Sequence, residues 1–255
     1  SGMGLGTVRL EQAEKNGANL AARLNATSAA QLRAIPAEQV QAATKIAPPA
    51  AGTDVTAMPP IWVAPNVDGV VMVADPGDPS NKVVSSVPLL TGYNADEAAF
   101  FMRAGPMSSE QFEAMVRKRY RASADQLLKH YSHATAQEID RSIGEIARDA
   151  MIFNLMNWAE KRTQASGVHV YTYVYDHPYP SINGQSFGSF HTAEVPYVFG
   201  ALGAGGRTFT AKDREVSRQL QDSWIAFMKT GDPSVPGRKW PAVTNDHPKV
   251  MGIGA

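Results

Sequence analysis

Residues 87–97 read VPLLTGYNADE, and the reading of this stretch decides the fold. Val87-Pro88-Leu89-Leu90-Thr91-Gly92 is a short apolar run bounded by proline and glycine, the pattern of a strand buried in a parallel sheet. A tyrosine, an asparagine and two carboxylates follow at once. In open α/β sheets, catalytic and binding side chains lie just beyond the carboxyl ends of the strands. Glu97 therefore stands where an acid or base is expected.

Working outward, the next signals are helical. Ser108-Ser-Glu-Gln111 predicts a capped helix with Phe112, Met115, Val116 and Tyr120 at helical spacing. Thr135-Ala-Gln-Glu138 predicts a longer one carrying Ile139, Ile143, Ile146, Ala147, Ala150 and Phe153. Gly167 stops it, and VHVYTYVYDHP, from Val168 to Pro178, reads as a strand of β-branched and aromatic residues. A loop rich in Pro, Gly and Ser then leads to His191, the second acid-base candidate. Residues 211–230 read as a last amphipathic helix, ended by Gly231-Asp-Pro233. Strand, helices, strand, helix predicts part of an α/β fold with a mostly parallel sheet flanked by helices.

Before the first strand the texture differs. Residues 9–25 predict a helix with Leu10, Ala13, Gly17, Leu20, Ala21 and Leu24 on one stripe. Ser28 to Gln31 resembles a capping box, and Pro36-Ala-Glu suits the first turn of another short helix. Residues 47–64 are loop-like, with four prolines. Val67-Asp-Gly-Val70 predicts a tight turn between apolar segments, and Asp75-Pro-Gly-Asp-Pro79 a second break. There is no internal repeat and no low-complexity tract.

Composition narrows the function. The chain has 255 residues, 44% of them hydrophobic and 19% charged, a globular balance. Lys+Arg (24) equal Asp+Glu (24), so there is no basic excess to neutralise nucleic-acid phosphates. No apolar run reaches the length of a bilayer span. The absence of cysteine excludes disulfides, thiolate metal sites and cysteine nucleophiles, and leaves the compartment undecided. The chain begins SGMGLG with no methionine at position 1, as expected of a processed or partial product.

One motif invites a shorter answer. Gly184-Gln-Ser186-Phe-Gly188 is a literal G-x-S-x-G, the signature of a nucleophilic serine on a strand-to-helix elbow. Its surroundings disagree: the preceding HPYPSIN is a proline-rich loop, Phe187 is bulky, and Gly188-Ser189 opens no helix. Ser186 also follows Glu97, whereas α/β-hydrolases run serine, acid, histidine. The match reads as an accident.

The remaining pattern resembles the type-B carboxylesterases, the cholinesterase-like α/β-hydrolases. Gly92-Tyr-Asn-Ala-Asp-Glu97-Ala-Ala-Phe-Phe101 is similar to that family's G-x-N-x-D-E-x-x-x-F. Phe190-His191-Thr-Ala-Glu194-Val-Pro-Tyr-Val-Phe-Gly200 is similar to its H-x-x-E-[IV]-P-Y-V-F-G. Pro65 to Gly69 looks like the family's P-x-x-D-G. Trp224-Ile-Ala-Phe227 with Gly231-Asp-Pro233, and Trp240-Pro241, look like its terminal elements. The resemblance implies a Ser-Glu-His triad in which Glu97 is the acid and His191 the base. It also implies that the elbow and the oxyanion loop lie upstream, because Ser1-Gly2 matches a pair that follows the elbow.

These readings predict that residues 1–255 are the C-terminal part of a single α/β-hydrolase domain of a carboxylic ester hydrolase, inactive alone. Its partners would be a small-molecule ester and the N-terminal half bearing the serine. Residues 102–160 would form helices bordering the acyl pocket. No cofactor is expected. No metal is expected either: His130-Tyr-Ser-His133 lacks further ligands. Gly2-x-Gly4-x-Gly6 lacks the setting of a dinucleotide loop. Asp96 and Glu194 are rival acids, Glu194 reading as an organiser of local backbone. His177 reads as bonded to backbone at a strand end. Met151, Phe153, Met156 and Trp158 read as core, or as the lining of the acyl pocket. Two alternatives stay open: a non-catalytic cholinesterase-like binding or adhesion protein, and an autonomous hydrolase using Ser186.

Overall fold

The computed structural model describes residues 7–44, 64–78, 86–97, 107–203, 206–244 and 249–254. They fall into two compact units, one holding the described residues up to 78 and the other those from 86 onward.

The first unit is built on two short strands, β1 (Val8–Arg9) and β2 (Asn66–Val67), paired in parallel with Val8 opposite Asn66. Helix α1 (Leu10–Arg23) and its C-cap Leu24 present Ala13, Leu20, Ala21 and Leu24 as a half-buried stripe, while Leu10 and Gly17 of the expected stripe are exposed. Two short helices follow, α2 (Ala29–Ala34) and α3 (Ala37–Thr44), the latter directly after Pro36. Ser28 caps α2 by accepting from the Gln31 backbone amide, but Gln31 Oε1 accepts from the Thr27 amide at 2.6 Å instead of closing the box on Ser28. Asp68 organises the expected turn, its Oδ1 accepting from the amides of Val70, Val71 and Met72. Gly69 takes φ +76° there. Val70 and Val71 are exposed and belong to no strand, so the turn does not join two apolar strands. Of the loop-like residues 47–64, all but residue 64 lie outside the described residues.

The second unit holds a three-stranded, wholly parallel sheet in the order β3 (Leu89–Asn94), β4 (Val170–Tyr175), β5 (Met251–Ile253). Strands that begin within VPLLTG and VHVYTYVY are thus neighbours, Leu89 opposite Val170 and Asn94 opposite Tyr175, while Val87-Pro88, Val168-His169 and residues 176–178 lie outside them. Gly92 is required by this closeness: a Cβ there would lie 2.4 Å from the Tyr173 carbonyl oxygen. The central strand β4 is covered on both faces, which explains its lack of polar side chains apart from Thr172 and the tyrosine hydroxyls.

Between β3 and β4 lie α4 (Ser109–Tyr120), a 3-10 turn (Arg121–Ser123), α5 (Ala124–His130) and the long α6 (Ala136–Ser166). The capping boxes at Ser108 and Thr135 are both complete, and Gly167 ends α6 at φ +67°. The first half of α6 buries Ile139, Ile143 and Ile146 against Phe112 and Val116 of α4 and Ala124 of α5. Its second half turns to the sheet, where Ala159 packs on Val170. This change of neighbour moves the core-facing stripe to Leu155 and Ala159 and leaves Phe153 exposed.

After β4 come α7 (Val195–Val198) and α8 (Ala211–Thr230), the latter boxed at Thr210 and stopped by Gly231. They close an aromatic core of Tyr171, Tyr173, Tyr175, Tyr197, Phe209 and Trp240 with Val216, Leu220 and Ile253. Tyr173 meets Trp224 and Trp240 edge-on at 5.3 and 6.4 Å between ring centres. Because the strands are parallel, β3 and β4 end at the same edge of the sheet, and their following loops face one another there.

Candidate functional site

At that edge the chain after β3 makes one tight turn. The Glu97 amide donates to the Asn94 carbonyl at 3.1 Å, and Glu97 Oε2 accepts from the Asn94 amide at 2.9 Å. The turn points the remaining carboxylate oxygen, Oε1, at His191, whose Nδ1 is hydrogen bonded to it. Glu97 is buried, its side chain 7% exposed, whereas the imidazole is 44% exposed. One carboxylate oxygen is thus fixed by backbone and the other orients a histidine open to a reactant. A neutral imidazole bonded in this way to a carboxylate carries its proton on Nδ1.

The loop carrying His191 is bound to the same turn. Asp96 pairs with Phe190 in an isolated parallel bridge, extending the strand pairing past the sheet, and its amide donates to the Ser189 carbonyl at 3.2 Å. Asp96 Oδ2 accepts from the Ser189 amide at 2.9 Å and from its hydroxyl at 3.2 Å. Asn94 Nδ2 donates to the Phe190 carbonyl at 2.7 Å and to Glu194 Oε2 at 2.5 Å. Immediately past His191, Thr192 takes φ +74°, and the Ala193 amide donates to the Phe190 carbonyl. The histidine rides on a turn clamped on both sides.

The carboxylate on the imidazole is that of Glu97. Asp96 is spent on the backbone at Ser189, and Glu194, also buried, accepts from Asn94. Burial raises the Tyr173 phenol far above its ordinary range, and the charges of Glu194 and Glu97 add to this, so it stays protonated.

The roles of Asn94 and Asp96 were not legible beforehand. Both lie in the quoted stretch, yet their partners are 96 and 93 positions away. Local spacing carries no signal of such partners.

Ser186 is exposed and follows a small turn in which Ile182 and Gln185 exchange backbone hydrogen bonds. Residues 176–181 before it form no strand, and no helix begins at 188–190. The strand-to-helix elbow is absent at this serine.

His177 differs from expectation. It bonds to a side chain, with Nε2 2.8 Å from Asp213 Oδ1. The same oxygen accepts from the Tyr197 hydroxyl at 2.6 Å, while Thr210 donates to Oδ2 through its amide and hydroxyl. Burial pushes the Asp213 carboxyl upward, but hydrogen bonds from Thr210, Tyr197 and His177 outweigh it and hold the group well below the usual carboxylate range. A local reading of HP at a strand end could not foresee a partner 36 positions on. His133 is tied to the Tyr131 carbonyl and stacks on Phe112 at 5.2 Å. Among the described residues no group of three or more His, Asp or Glu side chains is placed to hold a metal ion, and no helix is long and apolar enough to cross a membrane.

Comparison with known proteins bears on this geometry. A family model described as the carboxylesterase family matches residues 3–255. The acetylcholinesterase of Leptinotarsa decemlineata is 23% identical over 212 residues, covering 75% of this chain and 34% of that protein. The para-nitrobenzyl esterase of Bacillus subtilis (strain 168) is 30% identical over 169 residues, covering 62% of this chain and 32% of that protein. A solved PNB esterase superposes with a TM-score of 0.71 at 23% identity, over 97% of this chain and 51% of that one. A thermophylic PNB esterase gives 0.69 at 20% identity with the same coverage. The structural likeness shows the α/β-hydrolase fold. This chain spans about a third of the length of those curated relatives and about half of those solved chains.

Proposed function

The chain belongs to the carboxylesterase family, and from that premise we propose that it supplies the acid and base of a carboxylic ester hydrolase, Glu97 and His191, to a serine outside this sequence. The observation that carries the proposal is the hydrogen bond between Glu97 Oε1 and His191 Nδ1, made by a buried carboxylate to a half-exposed imidazole.

The chemistry follows from the residue types. His191 Nε2 takes the proton of the serine hydroxyl as it attacks the ester carbonyl, and returns that proton to the departing alkoxide. Glu97 fixes the tautomer that leaves Nε2 unprotonated and stabilises the imidazolium formed in between. The acyl-enzyme is then hydrolysed by water activated through the same imidazole. The substrate is a small carboxylic ester, and the described part of the 102–160 region, residues 107–160, borders the acyl side of the site.

Labelling with a fluorophosphonate, followed by mapping of the modified peptide, tests the proposal. The expected adduct is on a serine in a segment preceding residue 1, in a preparation that includes that segment. An adduct on Ser186, or none on such an intact preparation, contradicts it.

A further inference from the structure

The GQSFG stretch, stripped of its nucleophile reading, still holds a feature that demands a cause. Gly188 takes φ +64°, and a Cβ built on it would lie 2.0 Å from Asp96 Oδ2. The Asp96 carboxylate occupies the space a side chain would need, while accepting from the amide and hydroxyl of Ser189, the next residue. No other residue type combines this backbone angle with this approach.

We propose that Asp96 is a positioning residue that latches the Gly188–Ser189 loop and thereby fixes His191 against Glu97. The inference rests on the reading of Glu97 and His191 given above. Neighbouring carboxylates divide the task. Asp96 grips the loop two residues before Phe190-His191 ends its approach, and Glu97 grips the imidazole itself. The bonds that Ser189 donates to the Asp96 carboxylate are charge-assisted, the strong kind for an anchor. Backbone supports it on both sides: the Asp96 amide holds the Ser189 carbonyl, and the parallel bridge to Phe190 sets the register. Asp96 touches no reacting atom in this scheme. It acts through the loop.

Three variants and the unaltered protein test the latch. Asp96→Ala removes the acceptor. Gly188→Ala leaves the acceptor but drives a methyl group into it. Both are expected to weaken or abolish the low-field proton resonance of the His191 Nδ1–H bonded to Glu97. In a preparation that includes the serine-bearing segment they are also expected to lower kcat on p-nitrophenyl acetate by about 10²-fold with KM little changed, the cost of a misplaced base. Asp96→Asn, which keeps a carbonyl acceptor, restores much of both. A folded Asp96→Ala or Gly188→Ala protein that retains the wild-type resonance overturns the proposal. In the unaltered protein the Ser189 amide is expected to resist hydrogen exchange, and its rapid exchange overturns the latch without any variant. The resonance and exchange readouts do not depend on turnover. If His191→Ala keeps its activity, the catalytic reading fails while these measurements still judge the latch.

Discussion

His191 Nδ1 and Glu97 Oε1, 94 positions apart in the chain, meet in a hydrogen bond at the edge where β3 and β4 both end. The pairing depends on the sheet. Parallel register sets Asn94 beside Tyr175, the Ala95 amide bonds the Tyr175 carbonyl, and the Asp96 bridge to Phe190 continues the alignment. A slip of one residue would turn Glu97 away from the imidazole.

The tautomer argument makes Glu97→Gln informative. The amide keeps the shape but no longer carries the charge that holds the proton on Nδ1. Ester turnover is expected to fall by about 10³–10⁴-fold while the thermal midpoint stays close to wild type. Turnover within a few-fold of wild type would remove Glu97 from its role.

Gly92 tests the sheet that brings the two together. Alanine there would press a methyl group to 2.4 Å from the Tyr173 carbonyl oxygen and ring. Forcing these strands apart is expected to cost about 1–3 kcal/mol, read from urea unfolding. An unchanged midpoint would show that β3 and β4 are less closely paired than described.

Much of this architecture could be read from the sequence because local rules decide it. The capping boxes at Ser108 and Thr135 and the stop at Gly167 lie where the residues predicted. Strands begin within VPLLTG and VHVYTYVY, at Leu89 and Val170, because short apolar runs and β-branched and aromatic residues suit covered strand positions. Elements set by distant neighbours were not legible. The stripe on α6 leaves Phe153 exposed because the helix changes partners midway. Strand β5, only three residues long, exists through its pairing with β4 and carries little pattern of its own. At the site, Glu97 and His191 were nameable from the quoted motifs. The clamps supplied by Asn94 and Asp96, and the His177–Asp213 pair, needed the fold.

Asp213 gives a prediction about acid. Its folded carboxyl lies below its unfolded value, so the stability it contributes is present in full above the unfolded range, roughly pH 4. That stability is lost as pH falls through the folded value. Asp213→Asn should be less stable at neutrality by about 1–3 kcal/mol, since Tyr197, Thr210 and His177 lose a charged acceptor. Its stability should also decline less steeply as the solution is acidified. Parallel declines for variant and wild type, followed by urea midpoints, would refute the assignment.

Ser186 separates the motif from the mechanism. Its hydroxyl accepts weakly from the Gly188 amide at 3.4 Å and is exposed, so Ser186→Ala is expected to leave turnover and fluorophosphonate labelling unchanged. Loss of either would restore the G-x-S-x-G reading.

The most direct measurement is ester turnover by His191→Ala in a preparation that includes the serine-bearing segment, with folding checked by thermal melting. The predicted result is a fall of about 10⁴-fold or more with the melting curve preserved. Turnover close to that of the unaltered protein would contradict the assignment of His191 as the base, and with it the function proposed.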